Sequence, residues 1–278
     1  MKRRYHIWIV LVVLLVPVVL HAQTDSTGNE KQSFKLGIFY NSHLNYYGRT
    51  DSLRSSGVFP IAEWWPDKHF YITAAPVFVH NALADLEYAG TVLSAGYMFR
   101  DKKWAGNTYI VKPIYKQNSQ LVQSALKLQA TTSFSRLTEF INVTVGGDIK
   151  YSDKIDYGAT GGLDHLFRFE PGENMVLVID PSAYINAGTQ HFTQTSYKQS
   201  GFLLFPGIQQ NVTEDVKKFV VLSYEFSMPV VVAWRKLQLI LNPAYVIPQN
   251  LVTIPQRPDL SERGREMFYI TAGAKLSF

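Results

Sequence analysis

Along most of this chain apolar and polar side chains alternate residue by residue, and the alternation restarts after short polar interruptions. In the last stretch Phe268, Ile270, Ala272, Ala274, Leu276 and Phe278 share one face, while Tyr269, Thr271, Gly273, Lys275 and Ser277 share the other. A period of two is the mark of a strand whose two faces meet unlike surroundings. The same pattern predicts twelve strands: 34–46, 57–65, 69–80, 88–99, 104–116, 121–134, 138–151, 157–169, 175–188, 218–234, 237–248 and 266–278. Segment 121–134 is the least regular, since Asn118 or Ser119 would cap a helix through Leu121, Ala125, Leu128 and Gln129. A strand is preferred there because a helix would leave an odd number.

The connectors alternate in length. Tight ones are Pro66-Asp67-Lys68, 100–103, 135–137, 170–174 and Arg235-Lys236; the others are 47–56, 81–87, 117–120, 152–156, 189–217 and 249–265, most of them longer. Short turns at one end, longer loops at the other and an even strand count describe an all-β transmembrane antiparallel up-and-down β-barrel over 34–278. Twelve strands fit best, with ten and fourteen as the alternatives. The Arg235-Lys236 hairpin sets a register in which Val232 faces Leu239 and Val230 faces Leu241, leaving Glu225, Ser227, Gln238 and Asn242 on the opposite face. Trp64, Trp65, Trp104 and Trp234 all fall beside tight turns, as an aromatic girdle at headgroup depth would place them. Pro60, Pro76, Pro113, Pro181, Pro229 and Pro243 oppose this picture, because a closed barrel has no edge strand to receive them. Each calls for a bulge, a strand end or a gap in the ladder.

The amino-terminal end fits export. Lys2, Arg3 and Arg4 precede a 14-residue apolar run, Ile7 to Leu20, too short for a spanning helix, and cleavage after Ala22 is expected. Residues 1–22 are thus a signal peptide, and 23–33 a polar, disordered periplasmic leader. The formal charge of +5 falls to +2 without those three basic residues, and no basic stripe supports a nucleic-acid partner. Zero Cys excludes disulfides, thiolate metal sites and a lipidated cysteine anchor. With 16 Tyr, 17 Phe and 18 Gly against 18% charged residues, the composition suits strands.

The polar-Gly-apolar-aromatic ending Thr271, Gly273, Leu276 and Phe278 resembles the signal on the last strand of outer-membrane barrels, which the barrel-assembly machinery reads. Together with the Ala22-Gln23 junction and the Tyr- and Phe-rich strands, it makes the chain similar to outer-membrane barrels of Bacteroidetes-type bacteria. That resemblance implies the bacterial outer membrane as location, with its lipid and the assembly machinery as partners; no TonB box or plug domain is evident, so resemblance to large active transporters stops at the wall. It names no functional family.

On the lumen face the alternation places Lys35, Glu63, Lys112, Lys127, Asp148, Lys150, Asp164, Arg168, Asp180, Glu225 and Lys275, with apolar Phe39, Phe59, Ile61 and Ile114 beside them. Mixed signs argue for an interior neutralised by ion pairs, and the apolar members for a narrow or partly filled bore. If the hairpin closes near Gly172, Asp164 faces Asp180, and two carboxylates would repel or recruit a cation. Two carboxylates fall short of a calcium ligand set, so no metal or cofactor is expected. Enzyme chemistry has little support. His165 has no Ser at a natural strand offset, and Ser42-His43 and His191 with Ser196 lie at a rim where polar residues belong anyway. No phosphate loop, His-Glu-x-x-His or serine-hydrolase elbow occurs. The expected function is a small passive channel. The alternatives are a lipid-modifying hydrolase and an adhesin or accessory subunit meeting a surface partner through 189–217 and 249–265.

Overall fold

The computed structural model describes residues 32–51, 53–116, 126–191, 218–252 and 262–278. Its strands are β1 (Ser33–Asn41), β2 (Asn45–Tyr46), β3 (Arg49–Thr50), β4 (Ser56–Trp65), β5 (Phe70–His80), β6 (Glu87–Arg100), β7 (Trp104–Tyr115), β8 (Leu128–Arg136) and β9 (Asn142–Tyr151). They continue as β10 (Ile155–Asp164), β11 (Phe167–Gly172), β12 (Met175–Ile179), β13 (Ser182–Gly188), β14 (Val220–Ser227), β15 (Val230–Trp234), β16 (Leu237–Pro248) and β17 (Met267–Ser277). β11 prolongs β10, β13 prolongs β12, and β15 prolongs β14. With β2–β3 set apart as a separate hairpin, the wall is a closed, antiparallel, up-and-down barrel of twelve strands. Closure joins β17 to both β16 and β1, with Lys35 opposite Ser277 and Asn41 opposite Thr271.

Why a barrel forms is visible on its two faces. Ile38, Ile72, Ile110, Ile149, Ile185 and Leu241 point outward from different wall strands and are each 48–53% exposed. Along β1 the even positions Phe34, Leu36, Ile38 and Tyr40 are exposed, whereas Lys35, Gly37, Phe39 and Asn41 are covered. An apolar outer band around a polar interior inverts the order of a soluble protein, and it is the arrangement that hydrocarbon solvent requires. Among the described residues no helix is long and apolar enough to cross a membrane. The predicted register of β15 and β16 holds, with Val232 opposite Leu239 and Val230 opposite Leu241. The described part of the uncertain segment, Leu128–Arg136, is strand; residues 117–125 lie outside the described residues, as do the expected signal peptide and most of the leader.

The prolines are accommodated in rows. Pro60 lies where β4–β5 pairing lapses, between Val58–Phe78 and Ala62–Ala74, and the unbroken register sets it against Pro76. Neither can donate to the other, so one gap serves both. Pro113 lies beyond Val111–Gln129, the last pair of β7 with β8. Pro181, Pro229 and Pro243 form a second row. Their carbonyls accept from the amides of His165 (3.2 Å), Asp180 (3.0 Å) and Met228 (3.1 Å), and three neighbouring strands break along that line.

The buried apolar residues lie inside the barrel. Val77 and Val79 of β5 pack with Leu44, Phe59, Val92 and Tyr115 at the long-loop end. Leu222, Ala244, Val246 and Val252 are buried elsewhere in the wall and loops.

Candidate functional site

At the long-loop end the chain between β1 and β4 turns inward. β2 and β3 pair as a hairpin, Asn45 with Thr50 and Tyr46 with Arg49, across a two-residue turn at Tyr47-Gly48. Both turn residues have positive φ, 54° and 76°, the requirement of the type I′ turn that matches strand twist. Glycine takes that conformation freely, but a bulky residue such as Tyr47 is strained there by roughly 1 kcal/mol or more. Asn45 Oδ1 accepts from Gly48 N–H at 3.1 Å and helps hold the turn.

The hairpin touches the wall on every side. Leu44 joins the Val77–Val79 cluster on β5. The Tyr47 hydroxyl hydrogen-bonds Lys150 of β9, and Lys150 Nζ stands 5.3 Å from the Tyr47 ring centre. Gly48 packs against the ring of Pro248 at the end of β16, so closely that a Cβ would lie 2.9 Å from it. Ser42 exchanges hydrogen bonds with Ile270 of β17, its amide donating to the carbonyl and its hydroxyl accepting the amide, both at 2.9 Å. Burial pushes the Tyr46 phenol well above its ordinary range, and Tyr47, Asp148 and Asp156 add to the effect. Tyr46 therefore stays neutral in its pocket.

Arg49 fixes the hairpin. Its side chain is 1% exposed, and its Nε donates to both oxygens of Glu262 at 3.1 Å. Nη1 donates to the carbonyls of Tyr47 and Leu222, each at 3.2 Å. Nη2 donates to Gln190 Oε1 at 2.7 Å and to the Gln249 carbonyl at 3.2 Å. A guanidinium carries five N–H donors, and all of its nitrogens are engaged here. Glu262 is held in turn, accepting from Val252 N–H at 2.8 Å, and Thr50 N–H donates to the Arg263 carbonyl at 2.8 Å.

Below the hairpin the lumen carries a second polar group. Lys275 of β17 donates to Glu63 Oε1 at 2.5 Å, and Trp65 Nε1 donates to Glu63 Oε2 at 3.2 Å. Lys35 lies 4.5 Å over the Trp65 ring, which packs tilted against Tyr71 with ring centres 5.0 Å apart. On another part of the wall Tyr269 donates to Glu225 at 2.9 Å, and Asn142 donates to Asp164 at 2.7 Å. Asp148 and Lys150 of β9 form a buried ion pair. Three aromatic rings lie flat over the glycine opposite them: Phe39 on Gly273, Tyr71 on Gly96 and Tyr184 on Gly162. This holds large rings against the wall, out of the bore.

Glu63, Asp148, Lys150, Asp164, Asp180 and Glu225 all project from the inner face, as does Lys35. Arg168 shares that face in β11 but pairs with Glu170 at the open tight-turn end. Five residues are placed otherwise than the sequence predicts. Lys112 and Ile114 point outward, because β7 shows Trp104, Ile110 and Ile114 to the exterior and Lys112 shares their parity. Lys112 sits near the long-loop rim, where its stem can lie along the wall and its amine reach the polar boundary. Lys127 precedes β8 and pairs with Asp153 in the open, at 2.9 Å. Trp65 faces inward, since adjacent strand residues cannot share a face; Trp64, Trp104 and Trp234 remain outside, 44–53% exposed. Asp164 faces Ser182, not Asp180, because the turn closes on Glu173-Asn174; the carboxylates are diagonal neighbours. At the carboxyl end, Leu276 and Phe278 point outward and Thr271 and Gly273 inward.

Of the histidine–serine pairs the sequence offers, Ser42 with His43 lies wholly among the described residues: the Ser42 hydroxyl accepts from the Ile270 amide and stands 3.3 Å from His43 Nδ1. His165 contacts the Phe140 carbonyl and the Phe167 ring at the tight-turn end. His191 Nδ1 lies 3.0 Å from buried Asp156, whose side chain faces the lumen, away from lipid; Ser196 lies outside the described residues. Among the described residues no group of three or more His, Asp or Glu could hold a metal ion.

The inward hairpin is what sequence reasoning missed. Residues 47–56 were expected to form an ordinary external loop following a strand through 46. The available signal was the pair of aromatics beside Gly48 with charged Arg49 and Asp51, an odd composition for a solvated loop.

No family model matches the chain, and no curated protein matches it. Solved structures similar to it include the KdgM porin, with a TM-score of 0.46 and 8% identity over 88% of this chain and 99% of that one. An outer membrane channel from Pseudomonas putida F1 aligns with a TM-score of 0.45 and 10% identity, covering 92% and 100%. LpxR from Salmonella typhimurium aligns with a TM-score of 0.44 and 10% identity, covering 87% and 99%.

Proposed function

We propose that this chain is an integral outer-membrane barrel serving as a passive channel for small solutes. The observation that carries this is the closed wall: an apolar exterior band surrounds a lumen lined by polar and ion-paired side chains. Such a wall has a reason to enclose water. With Lys112 and Lys127 outside the bore, the described inner charges lean acidic, Glu63, Asp148, Asp156, Asp164, Asp180 and Glu225 against Lys35, Lys150 and Lys275, which supports a mild preference for cations. The chain is exported through residues 1–22 with cleavage after Ala22. It is inserted by the barrel-assembly machinery reading Thr271, Gly273, Leu276 and Phe278, as in Bacteroidetes-type barrels. The test is single-channel recording of the purified, heat-modifiable protein in a planar bilayer. Discrete steps with a mild preference for cations are expected. A folded barrel that stays silent, even after removal of the inward hairpin, overturns the channel and turns attention to lipid hydrolysis or to binding through loops 189–217 and 249–265.

A further inference from the structure

The inward hairpin has one property that a permanent plug does not need: most of its side-chain hydrogen bonds to the barrel run through Arg49, whose partners come from the chain near β13, β14, the end of β16 and the start of β17. Because these hydrogen bonds share one rigid planar group, moving the guanidinium breaks them together. A set that makes and breaks as a unit gives two discrete arrangements, not a continuum. The isolated bridge between Arg49 and Gly264, with Thr50 bonded to Arg263, adds a short strand contact that opens along the same path.

We propose that residues 44–51 are a gate latched at Arg49, and that solutes pass when Arg49 leaves Glu262 and Gln190 and the hairpin withdraws toward the long-loop end. This rests on the channel function proposed above. In the closed state Leu44, Tyr46 and Tyr47 occupy the bore between β5, β9 and β10. Release exchanges those contacts for solvent. Glu262 is the counter-charge that makes the closed state stable, and Gln190 supplies a neutral acceptor from the opposite side. The closed state is thus held by contacts that span chain segments far apart in sequence.

The chain has no cysteine, so a single introduced pair reports cleanly. The antiparallel Arg49–Gly264 bridge sets Thr50 against Arg263, and Thr50→Cys with Arg263→Cys would lock the hairpin in place when oxidised. Single-channel recording then compares three full-length proteins: the native chain, Arg49→Gln, and the double cysteine variant before and after reduction. The expected result is a rise in open probability of about tenfold or more for Arg49→Gln, since several charge-assisted hydrogen bonds are lost. The oxidised double variant should be silent and regain native gating on reduction. Equal conductance in the oxidised, reduced and native proteins overturns the gate while leaving the channel intact. Silence in all of them, and in a heat-modifiable variant with 44–51 replaced by a Gly-Ser linker, overturns the channel itself and the gate with it. If Arg49→Gln fails to fold, the redox comparison still decides.

Discussion

Lys275 on the last strand reaches across the first to place its Nζ 2.5 Å from Glu63 on the second wall strand. The pair bridges the line where the two ends of the sheet meet, with side chains 17% and 8% exposed. Trp65 donates to the other oxygen of Glu63, so the carboxylate is bound on both sides.

Replacing Glu63 by Leu leaves Lys275 covered and unpaired, with Lys35 nearby. The expected loss is about 3 kcal/mol, the scale for breaking a buried pair from one side. Urea unfolding in detergent micelles would measure it. Adding Lys275→Met should recover part of the loss; strictly additive losses would show that the two groups are not coupled.

Gly162→Ala tests the aromatic-on-glycine packing. A Cβ at Gly162 would lie 2.1 Å from the Tyr184 ring, so the ring must swing into the bore. A destabilisation of about 1–3 kcal/mol is expected, together with a smaller unit conductance. Unchanged conductance would mean that Tyr184 finds another place against the wall.

Lys112→Leu separates the two faces. An outward lysine near the rim contributes little there, so stability should shift by no more than about 1 kcal/mol. Ion selectivity should be unchanged, whereas Lys150→Leu, on the inner face, should alter it. A selectivity change in the Lys112 variant would place that amine in the lumen.

Two tight turns carry a pH dependence of known sign. Asp67 accepts from the amides of Phe70 at 2.8 Å and His69 at 2.6 Å, and these bonds hold its carboxyl below the ordinary value of 3.8. Asp101 does the same with the amides of Lys103 and Trp104, both at 2.7 Å. A depressed carboxyl stabilises the fold above its unfolded value and loses that contribution as pH falls through its folded one. Amide exchange at Phe70 and Trp104, corrected for intrinsic rates, should therefore quicken only below about pH 4. Asp67→Asn and Asp101→Asn should abolish the step.

Much of the wall was legible because a barrel writes itself locally. Each strand must alternate, so the Val232–Leu239 and Val230–Leu241 pairs followed from one two-residue turn. The prolines were readable as breaks but not as rows, since only the assembled sheet brings Pro181, Pro229 and Pro243 side by side. Parity misplaced Lys112 and Ile114 at β7, where Asn107 and Thr108 put a polar residue on each face. Trp64 and Trp65 were both assigned outward by their turn-end location, although neighbours in a strand must part. The inward hairpin was illegible for a different reason. Its anchor, Arg49, meets Gln190, Leu222 and Glu262, partners more than 140 residues away that no local pattern connects.

The row of Pro181, Pro229 and Pro243 makes the wall mechanically uneven. Phe167–Gly172, Met175–Ile179 and Val230–Trp234 ladder to one another and to β16, and the ladder is interrupted where they meet the strand segments beyond the row. An interrupted ladder is where a sheet opens most easily, so this tight-turn corner should exchange its amides sooner than the Lys275–Glu63 side.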